Sequence, residues 1–380
     1  MLIYISLIVF CFLLASFKLP RTIENMALII IAVFMCFGYM TGTDWYLYES
    51  FYKSAELSSI AERNRESGYF IIQSFFSRIG VDFWIFHITV KLLVFYSLIY
   101  FVRSFKLNVF LFLALFIPEV GFYLFIDCPF RNLIAFGFAL IAFRMLFNDK
   151  KLLFFLFTAL AMSFHLSVVV LLIIFFFYKK DIKIVVVLGI AIFAYVLAFN
   201  IEFLIKKVYI PIAEMIPIVG ERLQAYFLNS NYVATEINKG TYIRIFILLI
   251  LLLFKSVILN GDKTRQYVYN LAILSMLLYP FGVTMKILHR FYLYLTPFYA
   301  LSIIYLLNSF TIKVNRYIIY SFFIGFSLLQ TYVLVIYDYR YVPYSNYIKY
   351  WIKKDFPSID YRNEYNKKYT PYKRPSSGKK

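Results

Sequence analysis

The sequence predicts an all-α fold, a polytopic integral membrane helical bundle of about 10–12 transmembrane helices. Of its 380 residues, 62% are hydrophobic and only 16% are charged, and the mean hydropathy is +0.75. A soluble domain of this length would need more polar surface to cover its core. The apolar residues also occur in long runs separated by short charged segments, which is the pattern of membrane spans and loops.

Several apolar runs approach the roughly 20 residues that a helix needs to cross a bilayer. The first of them is predicted to be a retained span with its N-terminus outside, because Lys18 and Arg21 follow it and no basic residue precedes it. The predicted spans are 2–17, 26–40, 83–101, 107–125, 130–147, 182–199, 241–259, 266–282, 289–308 and 316–337.

The apolar segment 152–177 is longer than one span needs, and Ser163, His165 and Ser167 lie at its centre. If the segment crosses once, the basic turn that begins at Lys179 falls outside, against the positive-inside rule. If the helix is broken or re-entrant near His165, that turn returns to the cytoplasm. We prefer the second arrangement because the short basic loops then lie inside.

This arrangement places two long loops, 41–82 and 200–240, on the extracytoplasmic side. Within the first loop, residues 67–79 are too short and too polar to cross, and they are predicted to form an interfacial or re-entrant helix.

The predicted transmembrane domain covers 1–338, and a basic, aromatic tail follows it over 339–380. Its last residues, 373–380, are expected to be disordered. The tail would also lie outside, which the positive-inside rule disfavours. We give the short loops more weight because long segments translocate largely regardless of charge.

Charge and cysteine usage argue against several classes of function. The net charge of +19 suits orientation and contact with anionic membrane lipids, and no nucleic-acid partner is expected. The three cysteines include no Cys-x-x-Cys pair, so neither a disulfide framework nor a metal site is predicted. The sequence has no nucleotide-binding loop or metal-ligand spacing, and no cofactor is expected.

Two polar motifs mark the outer ends of predicted spans. In Gly42-Thr-Asp44, the carboxylate either caps the span end or binds sugar hydroxyls and serves as a base. Arg131 falls in the first turn of a helix that Pro129 opens, where a cation opposes the helix dipole. This placement calls for a compensating anion, which is either Asp127 or a ligand phosphate.

Three more residues are candidates for the same face. His165 is either a satisfied core group or a group for proton transfer near neutral pH. Arg290 is either a cation that snorkels to the surface or a phosphate clamp with forked donors. Arg244, in the first turn after 200–240, could join it, and Arg222 is a weaker candidate. With the 35 Tyr and 45 Phe, which form an interfacial belt or stack on sugars, the set suits a ligand with a lipid, a pyrophosphate and sugars.

In their order along the chain, these motifs resemble the EpsG-like and Wzy-type polymerases of bacterial O-antigen, capsule and exopolysaccharide. The resemblance covers about residues 25–300, and one departure is Asn132, where similar proteins often have Gln. The matching elements are Gly42-Thr-Asp44 with Tyr46, Tyr48 and Phe51, then Arg131, then Phe164-His165-Leu-Ser167, and last Arg290-Phe-Tyr292-Leu-Tyr294.

The resemblance implies an enzyme, a membrane glycosyltransferase of the bacterial cytoplasmic membrane with its active site facing the exterior. Such proteins transfer a growing glycan from undecaprenyl pyrophosphate to another lipid-linked oligosaccharide repeat unit, usually without a metal. A polysaccharide chain-length regulator is an implied partner. His165 and Asp44 are then the catalytic candidates. Arg131, Arg290 and Arg244 are the candidates for binding the pyrophosphate.

Three alternatives stay open at the level of sequence. A lipid-linked oligosaccharide flippase or other transporter predicts polar residues at mid-membrane and often a repeat between halves, whereas the polar residues here collect at one face and no repeat is visible. An O-antigen ligase-like glycosyltransferase is physically similar to a polymerase. A membrane acyltransferase would also use a histidine, but with an acyl donor from the cytoplasm.

Overall fold

The computed structural model describes residues 2–53, 67–215, 239–337 and 339–369, and these ranges are helical apart from their loops and one isolated β-bridge, between Gly38 and Asn346. The predicted all-α membrane class is therefore confirmed. Four described helices are long and apolar enough to span a membrane, or up to five if a bent pair counts as one span. Other apolar helices have only 10–17 residues, so the total of about 10–12 spans stays a prediction.

The described residues up to 164, namely 2–53 and 67–164, form eight helices. The sixth of them continues through two π-helical turns, Ile117–Gly121 and Tyr123–Asp127. The eight are α1 (Leu2–Ala15), α2 (Arg21–Cys36), α3 (Trp45–Lys53), α4 (Ser67–Arg78), α5 (Phe83–Arg103), α6 (Val109–Phe116), α7 (Phe130–Phe147) and α8 (Lys151–Phe164).

The predicted break at His165 and the predicted helix over 67–79 are both observed. The α8 helix ends at Phe164, His165 is extended (φ −156°, ψ 122°), and a 3-10 turn begins at Leu166. The α4 helix occupies Ser67–Arg78.

The middle of the chain begins with that 3-10 turn, and its described residues, 166–215 and 239–309, form nine further α-helices. One pair, Ile184–Phe199 with Ile201–Ile212, is bent by 85°. The nine are α9 (Val170–Phe177), α10 (Ile184–Phe199), α11 (Ile201–Leu204), α12 (Ile210–Glu214), α13 (Lys239–Leu253), α14 (Lys255–Leu259), α15 (Lys263–Thr284), α16 (Lys286–Leu293) and α17 (Thr296–Ser309).

The chain closes with a long helix, α18 (Lys313–Tyr337), and a folded tail. The tail contains a 3-10 turn, Tyr339–Tyr341, and two helices, α19 (Tyr347–Lys353) and α20 (Ile359–Tyr369). The disorder expected over 373–380 and part of the long loop at 200–240 lie outside the described residues.

The chain divides into two compact units. Unit 1 contains Met1–Leu166 and Ile318–Lys380, and unit 2 contains Ser167–Tyr317. The described part of the tail therefore packs within unit 1. The functional boundary at residue 338 remains a prediction.

Unit 1 has a basic end, which contains the connection between α1 and α2 and the connection between α5 and α6. Arg103, the last residue of α5, pairs there with Glu24 in the first turn of α2, with Nε 3.1 Å from Oε1. Asn108 donates from its amide nitrogen to the carbonyl oxygen of Ala15 at 3.1 Å. The turn between α7 and α8, with Lys150, lies at the same end because α7 runs antiparallel to α6. The opposite end of unit 1 contains the motif around Gly42.

Unit 2 has a basic end of its own. Lys255 donates to Asp181 at 2.7 Å, and Asn270 donates to the carbonyl oxygens of Tyr178 and Lys180, each at 2.8 Å. Arg265 reaches Ser309 at 3.1 Å. The turns before α10, before α15 and before α18 are thus gathered together.

Candidate functional site

The site in unit 1 is organised around the buried carboxylate of Asp127. Thr43 donates to Asp127 Oδ1 twice, from its backbone N–H and from its hydroxyl, each at 3.1 Å. On the other side, Arg340 Nη1 lies 2.5 Å from Asp127 Oδ2. The carboxylate therefore joins the Gly42-Thr-Asp44 motif to the tail, and no local sequence pattern indicates Arg340 as a partner.

Backbone geometry brings Asp127 to this position. The π-helical turn Tyr123–Asp127 ends at Cys128, which has a positive φ of 56° and donates from its N–H to Tyr123. Pro129 then precedes α7. The left-handed residue and the proline stop one helix and start the next within two residues, so Asp127 lies at the turn between them.

Residue 42 must be a glycine for two reasons, its positive φ and the close approach of the Asp127 backbone. Its φ is +79°, and an added Cβ would lie 2.3 Å from the carbonyl oxygen of Asp127. The Gly42 N–H donates to the carbonyl oxygen of Arg340 at 3.0 Å. No side chain fits at residue 42 while the loop remains against Asp127 and the tail.

The charges of Arg131 and Asp44 both act on the phenol of Tyr48. Arg131 lowers the pKa of that phenol, and Asp44 raises it. Burial raises the pKa of Tyr48 to about 12, although Arg131 opposes that shift. Tyr48 is therefore a neutral hydrogen-bonding group near neutral pH and is unsuited to act as a base.

His165 comes to the same end of unit 1 through the hairpin of α7 and α8. Phe138 of α7 stacks on Phe164 of α8 with ring centroids 5.4 Å apart. Because the two helices are antiparallel, the C-terminal end of α8 returns beside the N-terminal half of α7, where Arg131 lies. His165 is 8% exposed, and it directly follows the last residue of α8.

Sequence reasoning missed two polar residues inside α5, His87 and Lys91. Lys91 is only 1% exposed, and its charge acts on the thiol of Cys128, next to Asp127. Both ring nitrogens of His87, one turn away, are buried without a hydrogen-bond partner. Charged groups at membrane depth are costly and often functional. The lysine within the apolar segment 83–101 is therefore the sequence feature that could have identified Lys91 and its neighbour His87.

In unit 2, Arg244 is enclosed by aromatic rings. Its side chain is 1% exposed. The guanidinium carbon lies 4.9 Å from the ring centroid of Tyr279 and 5.1 Å from that of Tyr299. Such cation–π contacts are strong when the cation is removed from water.

The remaining motif of unit 2 follows on α16. Tyr292 is buried, its ring stacks on His289 at 5.7 Å, and it meets Tyr279 edge-on at 5.4 Å. Tyr294 and Ser167 share a hydrogen bond of 3.0 Å between their hydroxyls. The half-buried Arg290 lies on the same short helix. Unit 2 thus contains Ser167, Arg244 and the polar residues of α16.

The structure therefore groups the sequence-predicted residues in two sets. Unit 1 brings Asp44, Arg131 and His165 to one end, and unit 2 contains Arg244 and Arg290. In unit 1 a carboxylate, a guanidinium and an imidazole lie at the end of the helices. That combination can accept a proton, hold a hydroxyl and stabilise negative charge.

Comparison with known proteins gives one family match. The model of the EpsG family matches residues 21–350, which extends beyond the range of the motifs into the tail. No curated protein and no solved structure matches the chain. The family match confirms the resemblance that the motifs indicate.

Proposed function

Because the chain belongs to the EpsG family, we propose that it polymerises lipid-linked oligosaccharide repeat units into O-antigen or a related surface polysaccharide. Family membership indicates a polysaccharide polymerase-type function and a lipid-linked saccharide substrate in a membrane context. The proposal adds that the lipid is undecaprenyl pyrophosphate and that the acceptor is a second lipid-linked unit.

In the proposed reaction, one glycosidic bond forms and one bond to pyrophosphate breaks. An acceptor hydroxyl oxygen attacks the anomeric carbon of the growing glycan, and the lipid pyrophosphate leaves with the bonding electron pair. The hydroxyl proton passes to a base, for which His165 is the first candidate. Asp44 orients the acceptor or is that base itself. Binding the two substrates side by side supplies much of the rate.

One observation carries this proposal beyond the family name: α3, which follows Asp44, packs against the start of α7, where Tyr48 meets Phe130 next to Arg131 with ring centroids 5.7 Å apart. Arg131 offers a fixed cation beside a neutral phenol at the end of unit 1. Charge on a leaving pyrophosphate develops in the transition state, and a fixed guanidinium stabilises such charge more than it stabilises the ground state.

The two arginines of unit 2 are proposed to bind phosphate as well. Arg290 lies on a short helix rich in aromatic residues, and Arg244 is held between two tyrosine rings. A guanidinium held by aromatic rings is already oriented, so less entropy is lost when it binds an anion.

The basic end of unit 1 supports an orientation for the protein. Short basic loops remain in the cytoplasm, so the opposite end of unit 1, with Asp44 and Arg131, is proposed to face the exterior of the bacterial cytoplasmic membrane. That face is where exported repeat units are joined in the proposed scheme, and a chain-length regulator is a proposed partner there.

A chain-length ladder tests the proposed function. The gene is deleted in its host, and the surface polysaccharide is separated on a denaturing gel and stained with silver. We expect the ladder to collapse to a lipid anchor that carries one repeat unit. The wild-type gene should restore it, and the Arg131→Ala variant should not, at an equal protein level.

Other outcomes of this experiment point to other functions. An unchanged ladder would contradict polymerisation and favour an enzyme that decorates the sugars. Loss of even the single-unit band would indicate a transporter or a ligase-like transferase, because units would then fail to reach the lipid anchor.

A further inference from the structure

A groove runs along the surface of unit 1 between α5 and α7. Its lower section, about 470 Å³, lies toward the basic end and is lined by residues such as Tyr100, Arg144 and Lys150. Its upper section, about 290 Å³, is lined by residues such as Val90 and Leu93. Ser97 and Ile141 line both sections, so the two form one continuous groove.

The lower section is built to receive an anion. The guanidinium carbon of Arg144 lies 3.9 Å from the ring centroid of Tyr100, and Tyr100 in turn stacks on Tyr96. Arg144 Nη1 is buried and makes no hydrogen bond. Lys150 is an exposed second cation in the lining. None of the described lining residues here is acidic.

The upper section is built to receive a hydrocarbon chain. Thr89 and Ser97 are its polar lining residues within the described chain, and neither is charged. Leu93 is 62% exposed, so the surface is open to the bilayer. At its far end the groove is lined by Ile72 and Phe76 of α4.

The groove is long enough for one acyl chain. From Phe86 to Tyr100, α5 rises about 21 Å at 1.5 Å per residue. One leaflet of the hydrocarbon core is about 15 Å thick, half of ~30 Å, so the groove extends past the middle of the bilayer. A lipid with its phosphate at Arg144 can therefore lay a full acyl chain along the groove.

We propose that this groove binds an anionic glycerophospholipid from the leaflet at the basic end of unit 1. Arg144 Nη1 and Lys150 contact the headgroup phosphate, and an acyl chain lies against Val90 and Leu93. An undecaprenyl chain is longer than an ordinary acyl chain and would extend past Ile72 and Phe76 at the end of the groove. The assignment is independent of the proposed function, since it concerns neither Arg131 nor His165.

Lipid binding to the purified protein tests the proposal. The full chain in detergent is titrated with fluorescent dioleoylphosphatidylglycerol, and unlabelled lipids then compete with it. We expect dioleoylphosphatidylcholine, which has the same tails, to compete at least about tenfold less well. Glycerol phosphate, which lacks the tails, should not compete. A charge-assisted hydrogen bond to Arg144 corresponds to about a tenfold change in affinity.

Two variants separate the sections of the groove. Arg144→Gln should weaken binding about tenfold, and Thr89→Trp should abolish it by filling the apolar section. Lys18→Gln, an exposed cation of the same basic end that does not line the groove, should bind as the wild type does. Each variant is first shown to have the melting temperature of the wild type without added lipid.

Two results would overturn the proposal. Equal affinity of the wild type and Arg144→Gln for phosphatidylglycerol would mean that the groove is not a headgroup site. Stronger competition by undecaprenyl phosphate than by phosphatidylglycerol, lost in both groove variants, would assign the groove to the carrier lipid instead.

Discussion

A single buried carboxylate, Asp127, joins segments that lie far apart in the sequence. It accepts two hydrogen bonds from Thr43 and pairs with Arg340, a residue 213 positions later. A buried charge is tolerated only when it is paired and hydrogen-bonded. The position of Thr43, and of the adjacent Asp44, therefore depends on a cation in the tail. Arg340 is a positioning residue for the site.

Exchange of the charges tests this dependence. Arg340→Asp should abolish long polymer and lower stability by about 1–3 kcal/mol, since it removes a charge-assisted hydrogen bond. The double variant Arg340→Asp with Asp127→Arg should recover part of both losses. Polymer length and melting temperature measure the recovery. Losses in the double variant that equal the sum of the two single losses would show that the pair does not couple.

Gly42 offers a second test at the same point. Gly42→Ala places a Cβ 2.3 Å from the carbonyl oxygen of Asp127 at a φ of +79°, so we expect a loss of about 1–3 kcal/mol and little polymer. The control is Gly325→Ala in α18, where nothing lies within 4 Å of the new Cβ. That variant should keep both stability and polymer, and a milder effect at Gly42 than at Gly325 would contradict the close approach.

Steady-state kinetics can distinguish the proposed roles of His165 and Asp44. Removal of a general base slows the chemical step by about 10²–10⁴, whereas removal of a group that orients the acceptor chiefly raises its KM. We expect His165→Gln to lower kcat and Asp44→Asn to raise the KM of the acceptor, as measured with lipid-linked units and purified enzyme. The reverse pattern would make Asp44 the base.

Side-chain chemistry was predictable from the sequence, and the partners were not. The polar residues at span ends were visible because charges near a membrane are few. The anion that compensates Arg131 was predicted to be either Asp127 or a ligand phosphate, and the structure shows an ion pair between Asp127 and Arg340. An ion pair between residues so far apart in the sequence produces no local sequence pattern. Lys91 was missed because a single charged residue within a long apolar segment does not change the prediction of a membrane span.

At the scale of elements, the tail is part of unit 1. Tyr4 donates to the carbonyl oxygen of Tyr341 at 2.6 Å, and Tyr39 donates from its N–H to Ser345 at 2.9 Å. Farther along, Arg362 of α20 pairs with the buried Glu49 of α3 at 2.8 Å. The tail therefore lies at the same end of unit 1 as the Gly42 loop. Composition predicted only a polar, basic segment here, because the order depends on these contacts.

Cysteine labelling tests the side of the tail. In a variant whose three native cysteines are replaced, a cysteine at Ile352, which is 68% exposed, should react in intact cells with a membrane-impermeant maleimide. A cysteine at Lys18, at the basic end, should react only after the cells are opened. Protection of residue 352 in intact cells would place the Gly42 loop in the cytoplasm and overturn the proposed orientation.

At the scale of the whole molecule, two compact units each have their own basic end. The hydropathy pattern predicted the helices and their class because apolar length is a local property. The division at Leu166 and Ser167 was not predictable, since it depends on which helices pack together. The sequence signal nearest to it was the break at His165, where three polar residues interrupt an overlong apolar segment.

The pairing of Arg340 with Asp127 has a consequence for synthesis of the protein. Ribosomes deliver residues in order, so the loop with Gly42 and Asp127 enters the membrane long before its last partner is made. A nascent chain that stops short of residue 340 would carry every membrane helix of unit 1 and still lack the cation that fixes Asp127. We therefore expect activity only once translation has passed residue 340, and we expect prematurely terminated chains in the membrane to be inactive.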